Sequence, residues 1–318
     1  MHIKNDNPAY GAELEAFAGI PTFMRQPASR DLKGVDVAIV GIPFDGGAAS
    51  YRSGTRMGPR KIRESSLVVW GYNRVLEVGP LDVLKLVDYG DIAIQPPNIE
   101  ATMGLIVRDA QSIINAGIGM ISLGGDHSIS YPLLKAHAAK YGPLAVVHFD
   151  SHCDTEGGYR NHGTPFADAF ESGLIDTDAY VKVGIRGSIF HSEELKNAEG
   201  QGARILPIEQ CLEAGIPAVI EQIHDIIGDK QVYVSLDIDV VDPAYAPGTG
   251  TPEVGGFTSY QILQLVRGLK GLNTVGFDLV EVSPPYDSPG EITSILAANL
   301  VFEFLSLMAL QRLGGREA

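Results

Sequence analysis

Val146-Val147-His148-Phe149-Asp150-Ser151-His152-Cys153-Asp154-Thr155 reads as a buried strand that runs out into a polar loop. Leu144 to Phe149 is almost wholly apolar, the pattern of a strand covered on both faces and therefore of a parallel sheet. Alternate side chains of a strand point the same way, so Asp150, His152 and Asp154 share one face, while Ser151 and Cys153 take the other. Two carboxylates and an imidazole converging at a strand end call for a counter-cation. Oxygen and imidazole donors suit manganese, zinc, iron or nickel. For this stretch taken alone, a solvated acidic loop is the plainer alternative.

Outward from that strand, the chain alternates. Strands are expected at 35–40, 83–88, 119–123, 180–185, 203–206, 232–236 and 274–280. Helices are expected at 58–69, 99–116, 128–141, from 164, and at 192–198, 218–227, 258–269 and 293–313. Alternating strands and helices predict a parallel sheet with helices on both faces, an α/β fold. No boundary, repeat or low-complexity tract divides it, so one domain is expected over 34–318 after an N-terminal arm at 1–33. Gly46-Gly47 lies in a glycine-rich loop but lacks the spacing and helix start of a nucleotide fingerprint.

The 318 residues are 45% hydrophobic and 20% charged, an ordinary globular composition with ample length for a core. The formal charge of −15, from 24 basic and 39 acidic residues, argues against nucleic acid, whose binding needs clustered Lys and Arg. Two cysteines, Cys153 and Cys211, imply no disulfide framework and fit a reducing cytoplasmic compartment. The first residues lack the apolar core of a signal peptide, and no run is expected to reach the ~18 apolar residues of a membrane span.

Polar groups recur just after strands, at the edge where open parallel sheets bind ligands. Gly124-Gly125-Asp126-His127 follows one strand, with His127 readable as a helix cap or as a ligand. Asp237 and Asp239 leave another strand two residues apart, and burying two unpaired carboxylates is costly without a cation. Glu281 leaves a third apolar strand. His127, Asp150, His152, Asp154, Asp237 and Asp239 make four carboxylates and two imidazoles, too many for one metal and natural for two. A pair about 3.5–4 Å apart needs bridging carboxylates, and Asp150 and Asp237 sit centrally enough to serve. Such a pair activates water at neutral pH, so a hydrolase is expected.

Gly-Gly-Asp-His at 124–127, Asp-Ser-His-Cys-Asp at 150–154 and Asp-Ile-Asp-Val-Val-Asp-Pro at 237–243 resemble the three signatures of the arginase/agmatinase ureohydrolase family. The loops at 52–59 and 246–256 resemble that family as well, and the likeness runs from about residue 17 to the end. It implies a three-layer α/β/α domain with an eight-stranded, mostly parallel sheet, two Mn2+ per subunit, and a homo-trimer or homo-hexamer. Carried over, His127, Asp150, Asp154 and Asp237 match the ligands of one metal. Asp150, His152, Asp237 and Asp239 match those of the other. His162 matches the proton-shuttle histidine, Asp154 the residue steadying the tetrahedral centre, and Glu281 the carboxylate that grips the guanidinium, by a two-oxygen fork. The implied products are urea and an amine.

The family usually has alanine where Ser151 stands and serine or threonine at Cys153, which keeps Ni2+ open as the alternative metal. Cys153 is expected to pack away from the metals. The loop Thr155 to Asn161 resembles agmatinases and guanidino-acid hydrolases more than arginases, and the segment 17–23 resembles the guanidinobutyrase branch. Glu156 can meet the ammonium of agmatine, and Arg160 the carboxylate of 4-guanidinobutyrate, with Asn161 beside them. A small uncharged-tail guanidine and a non-catalytic subunit of a mixed oligomer are the other readings.

Overall fold

Eight strands hydrogen-bond into one all-parallel sheet in the computed structural model, which describes Glu15 and residues 18–48 and 50–317. They are β1 (Val37–Ile42), β2 (Leu86–Asp91), β3 (Gly119–Gly124), β4 (Leu144–Phe149), β5 (Ile175–Val183), β6 (Arg204–Leu206), β7 (Gln231–Asp237) and β8 (Asn273–Val280). Their order is β2-β1-β3-β8-β7-β4-β5-β6. The helices are α1 (Gly58–Ser66), α2 (Pro80–Val83), α3 (Ile99–Asn115), α4 (Ser130–Tyr141), α5 (Pro165–Glu171), α6 (Glu194–Gly200), α7 (Ile208–Ala214), α8 (Ile216–Ile227), α9 (Ser259–Gly268) and α10 (Ile292–Glu317).

Strand alternation feeds two cores. Along β4, Ala145, Val147 and Phe149 enter one apolar cluster, with residues of α8, α9 and α10. Leu144 and Val146 enter the other, with residues of α3 and α4. The result is the three-layer α/β/α arrangement.

About half of the expected arm at 1–33, residues 1–14 and 16–17, lies outside the described residues. Its later part belongs to the fold: Phe23 is fully buried, Met24 N–H donates to Ser66 Oγ at 2.8 Å, and Ala28 bridges to Asp88. Val83, expected to open a strand, instead closes α2, which has Pro80 in its first turn, and the strand starts at Leu86. The expectation that no stretch is apolar enough to cross a membrane needs correcting. Residues 292–314 reach that length and composition, but 78% of the apolar window is buried, and α10 packs against α1, α9 and β8 as a core helix.

The sheet order places the site. β3, β8, β7 and β4 are the four central strands, so their C-terminal ends are neighbours although up to 156 residues, from Gly124 to Val280, separate them in sequence. Gly125 shows how tight the first of these turns is. A Cβ there would lie 1.9 Å from the Phe44 carbonyl oxygen, so only glycine lets the chain pass and aim His127 inward.

Candidate active site

His127 stands at the centre. Its Nε2–H donates to Ser235 Oγ at 2.9 Å, and Ser235 in turn donates to Asp278 Oδ1 at 2.6 Å. This commits a proton to Nε2 and leaves Nδ1 as the nitrogen turned to the cluster. Nδ1 then faces carboxylate oxygens of Asp154, Asp150 and Asp237 at 2.9, 3.1 and 3.2 Å, with no hydrogen bond made. A buried imidazole nitrogen ringed by three carboxylate oxygens needs a proton or a metal cation between them. The residues therefore fit a metal ion. Next to it, His152 Nδ1 lies 3.1 Å from Asp239 Oδ2 and 3.5 Å from Asp150 Oδ1, and these three form a second ligand cluster that shares Asp150.

The electrostatics agree. Burial, then the charges of Asp239 and Asp150, push the Asp237 carboxyl well above the usual carboxylate range. Burial and Asp150 raise Asp154. Asp150 is held well below its ordinary value despite burial, because His148, His127 and His152 surround it. His127 and His152 are held well above theirs by the carboxylates, against the pull of burial. Without a cation, the cluster keeps protons that its ligands must shed to bind one. Asp154 and Glu281 both adopt positive φ, 51° and 63°, a costly conformation for residues with a side chain, held at the site by the surrounding structure.

Glu281 sits behind His127. Its Oε1 accepts from the His127 backbone N–H at 2.9 Å and from His162 Nδ1 at 3.0 Å. Oε1 thus has two donors, while Oε2 has no hydrogen-bond partner among the described residues. Burial works against a proton on His162, but Glu281, Asp154 and Asp126 raise its pKa to about 9. Asp126 lies beneath, taking hydrogen bonds from Gly47 N–H at 2.8 Å and from Ser128, with burial and Glu281 raising its pKa to about 7.

A cavity of about 460 Å³ opens over the cluster, walled by His152, Asp154, Glu156, His162, Glu194 and Asp237. Tyr159 and Phe190 stand exposed at its mouth. No Lys or Arg is among its described lining residues. Arg160 is directed elsewhere: it pairs with Glu100 and Asp168 and lies 4.8 Å over the Tyr131 ring. Its partner Glu100 is distant in sequence, so the loop alone did not disclose the pairing. Asn161 lines the cavity but spends its side chain on the loop, donating to Tyr159 O and accepting from Gly163 N–H. Glu156 lines it too, with His191 Nε2 3.8 Å away.

Ser151 corrects the alternation argument. β4 ends at Phe149, so the two-residue period lapses, and Ser151 Oγ turns to the cluster, donating to Asp239 Oδ1 at 2.7 Å. Cys153 is buried in the apolar core beside α4, as expected. Sequence reasoning passed over His148, although it lies in β4 only two residues before Asp150, which was the available signal. Its Nε2 lies 2.7 Å from Asp150 Oδ2.

This fold and this cluster define a metal-dependent α/β/α enzyme. Comparison with known proteins specifies it further. A profile described as the Arginase family matches residues 35–306. The chain is 41% identical to the guanidinopropionase of Pseudomonas aeruginosa over 314 residues, covering 96% of this chain and 98% of that protein. It is 43% identical to the agmatinase of Chromobacterium violaceum over 319 residues, covering 96% and 94%. The solved structure of proclavaminate amidinohydrolase from Streptomyces clavuligerus superposes with a TM-score of 0.89 at 40% identity, covering 93% of this chain and 99% of that one. The chain belongs to the Arginase family.

Proposed function

We propose that this protein is a dinuclear-metal ureohydrolase acting on a non-arginine guanidino compound, and that the far end of its substrate is cationic or uncharged. The observation that carries the substrate reading is the cavity wall, which offers Glu156 and Glu194 and neither Lys nor Arg among its described residues. A carboxylate tail would meet like charge there, which costs free energy, whereas an ammonium would be attracted and could also lie against the rings of Tyr159 and Phe190. Agmatine fits this description; guanidino acids do not.

When bound, the two cations supply the Lewis acidity that lets water act as a nucleophile at neutral pH. His127, Asp150, Asp154 and Asp237 would hold one, and Asp150, His152, Asp237 and Asp239 the other. Four carboxylates per two imidazoles is a hard donor set, which favours Mn2+ over Ni2+. Glu281 Oε2 is free to accept one guanidinium N–H and so orient the carbon toward the cluster. His162 is protonated at neutral pH and lines the cavity, so it can give a proton to the departing amine. Asp154, 2.9 Å from His127 and lining the same cavity, accepts from the tetrahedral centre. All six donor positions are filled, which supports a catalytic chain over a non-catalytic partner subunit. A homo-trimer or homo-hexamer in a reducing cytoplasm completes the proposal, on the family resemblance and the two buried cysteines.

Urea release tests it. The protein is loaded with Mn2+ or Ni2+ in turn and offered agmatine, 4-guanidinobutyrate, 3-guanidinopropionate and methylguanidine. Urea from agmatine or methylguanidine, greatest with Mn2+, is expected. Urea from the guanidino acids alone would refute the tail assignment, and no urea from any compound would refute the hydrolase.

A further inference from the structure

Lys182 is a lysine inside an apolar central strand. It lies in β5 as Val181-Lys182-Val183, and its Cα is paired in register with that of His148 on β4. Its side chain is fully buried. The ammonium has two hydrogen-bond acceptors: His148 Nδ1 at 2.9 Å and the Cys153 carbonyl at 2.6 Å. Below it lie the faces of Phe166 and Tyr180, with Nζ 4.3 and 4.8 Å from the ring centroids. An ammonium buried without a carboxylate against it costs several kcal/mol, so the position needs a reason. Neither the metal ligands nor the substrate groups described above include it.

The hydrogen bonds supply that reason. Lys182 has only protons to give, so His148 Nδ1 must accept, and the neutral imidazole then carries its proton on Nε2. That N–H points at Asp150 Oδ2, 2.7 Å away. His148 also lies close enough to His127, Asp150 and Asp154 to be a ligand in its own right. With Nε2 protonated it cannot be one. It is instead a donor that fixes the orientation of the shared carboxylate. The second contact acts on the backbone: the Cys153 carbonyl lies between the ligands His152 and Asp154, so Lys182 pins the turn that presents both.

We propose that Lys182 is a positioning residue for the metal pair, holding His148 as a donor to Asp150 and the Cys153 carbonyl in place, and so keeping His148 out of the coordination shell. This rests on the metal reading of the site and is independent of which guanidine is the substrate. Residues that orient ligands in this way typically contribute about 10–100-fold in metal affinity.

The test is Mn2+ affinity, measured by competition with a chromophoric chelator on the full chain, for wild type, Lys182→Met, Lys182→Gln, His148→Phe and the double variant Lys182→Met/His148→Phe. His148→Phe keeps a ring against Phe166, 4.0 Å away between centroids, and removes the donor to Asp150 together with the acceptor of Lys182. Lys182→Met and His148→Phe are each expected to weaken binding by about 10–100-fold, with Lys182→Gln, which keeps a polar head, between Met and wild type. The double variant is expected to bind no more weakly than Lys182→Met, because the two residues act in series. Losses that multiply in the double variant would overturn the proposal. So would tighter binding by Lys182→Met, the result if the lysine acted only as a repelling charge. If Lys182→Met does not fold, wild-type affinity in His148→Phe overturns it alone. A wild-type chain that takes up no Mn2+ would remove the metal reading as well, whereas unchanged variants of a metal-binding wild type would remove this proposal only.

Discussion

The pair between His162 and Glu281 ties stability to pH in a direction that can be worked out. His162 has an ordinary value of 6.5 and is raised to about 9 in the folded chain. A raised pKa means that the folded state binds the proton more tightly than the unfolded one. The stabilisation is therefore complete below about pH 6.5 and is lost as pH climbs through about 9. At about 1.4 kcal/mol per tenfold change in proton concentration, the gap comes to about 3 kcal/mol. The side chain is only 14% exposed, so solvent screening removes little of this. His162→Gln should then lower the melting temperature of the chelator-stripped protein by roughly 5 °C more at pH 6 than at pH 10. Stripping matters, because Asp154 contributes to the effect and would be neutralised by a bound cation. Scanning calorimetry of both proteins at the two pH values is the assay. A difference between wild type and variant that does not change with pH would refute the assignment of the proton to His162.

Three further outcomes are expected. Loading the stripped protein with Mn2+ at pH 7 should release more than one proton per chain, since His127, His152 and Asp237 are all held above their ordinary values; titration calorimetry in buffers of different ionisation enthalpy measures this, and zero release would contradict the ligand set. Arg160→Ala should leave kcat/KM within about threefold for every guanidine and stability within about 1 kcal/mol, because its ion pairs are surface pairs; a tenfold loss confined to guanidino acids would put the guanidinium back in the substrate path. Burial pushes the Cys153 thiol up to about 12, so alkylation by iodoacetamide at pH 8 should be far slower in the native protein than in denaturant; comparable rates would show that Cys153 is accessible.

The sequence was most legible where a buried strand ends in charge. Leu144 to Phe149 could hardly be anything but a central parallel strand, and carboxylates two residues apart at 237 and 239 made a cation the simplest account of the strand end. What escaped depended on contacts between residues distant in sequence. Arg160 looked free in its loop, and its partner Glu100 belongs to α3. Lys182 sits in a strand expected at 180–185 and drew no reading of its own; only the register of β5 on β4 sets it against His148. Ser151 was assigned to the wrong side because alternation was carried past the last residue of β4. α7 is one short stretch, Ile208–Ala214, burying only Ile208 and Cys211, too little periodicity to announce a helix.

The central claim is that β3, β4 and β7 deliver six side chains around two divalent cations. Anomalous diffraction from crystals grown with Mn2+ tests it most directly. Two peaks per chain are predicted, roughly 3.5–4 Å apart, one against His127 Nδ1 and one against His152 Nδ1, with Asp150 touching both. A single peak, or manganese bound by His148 in place of His127, would contradict the account.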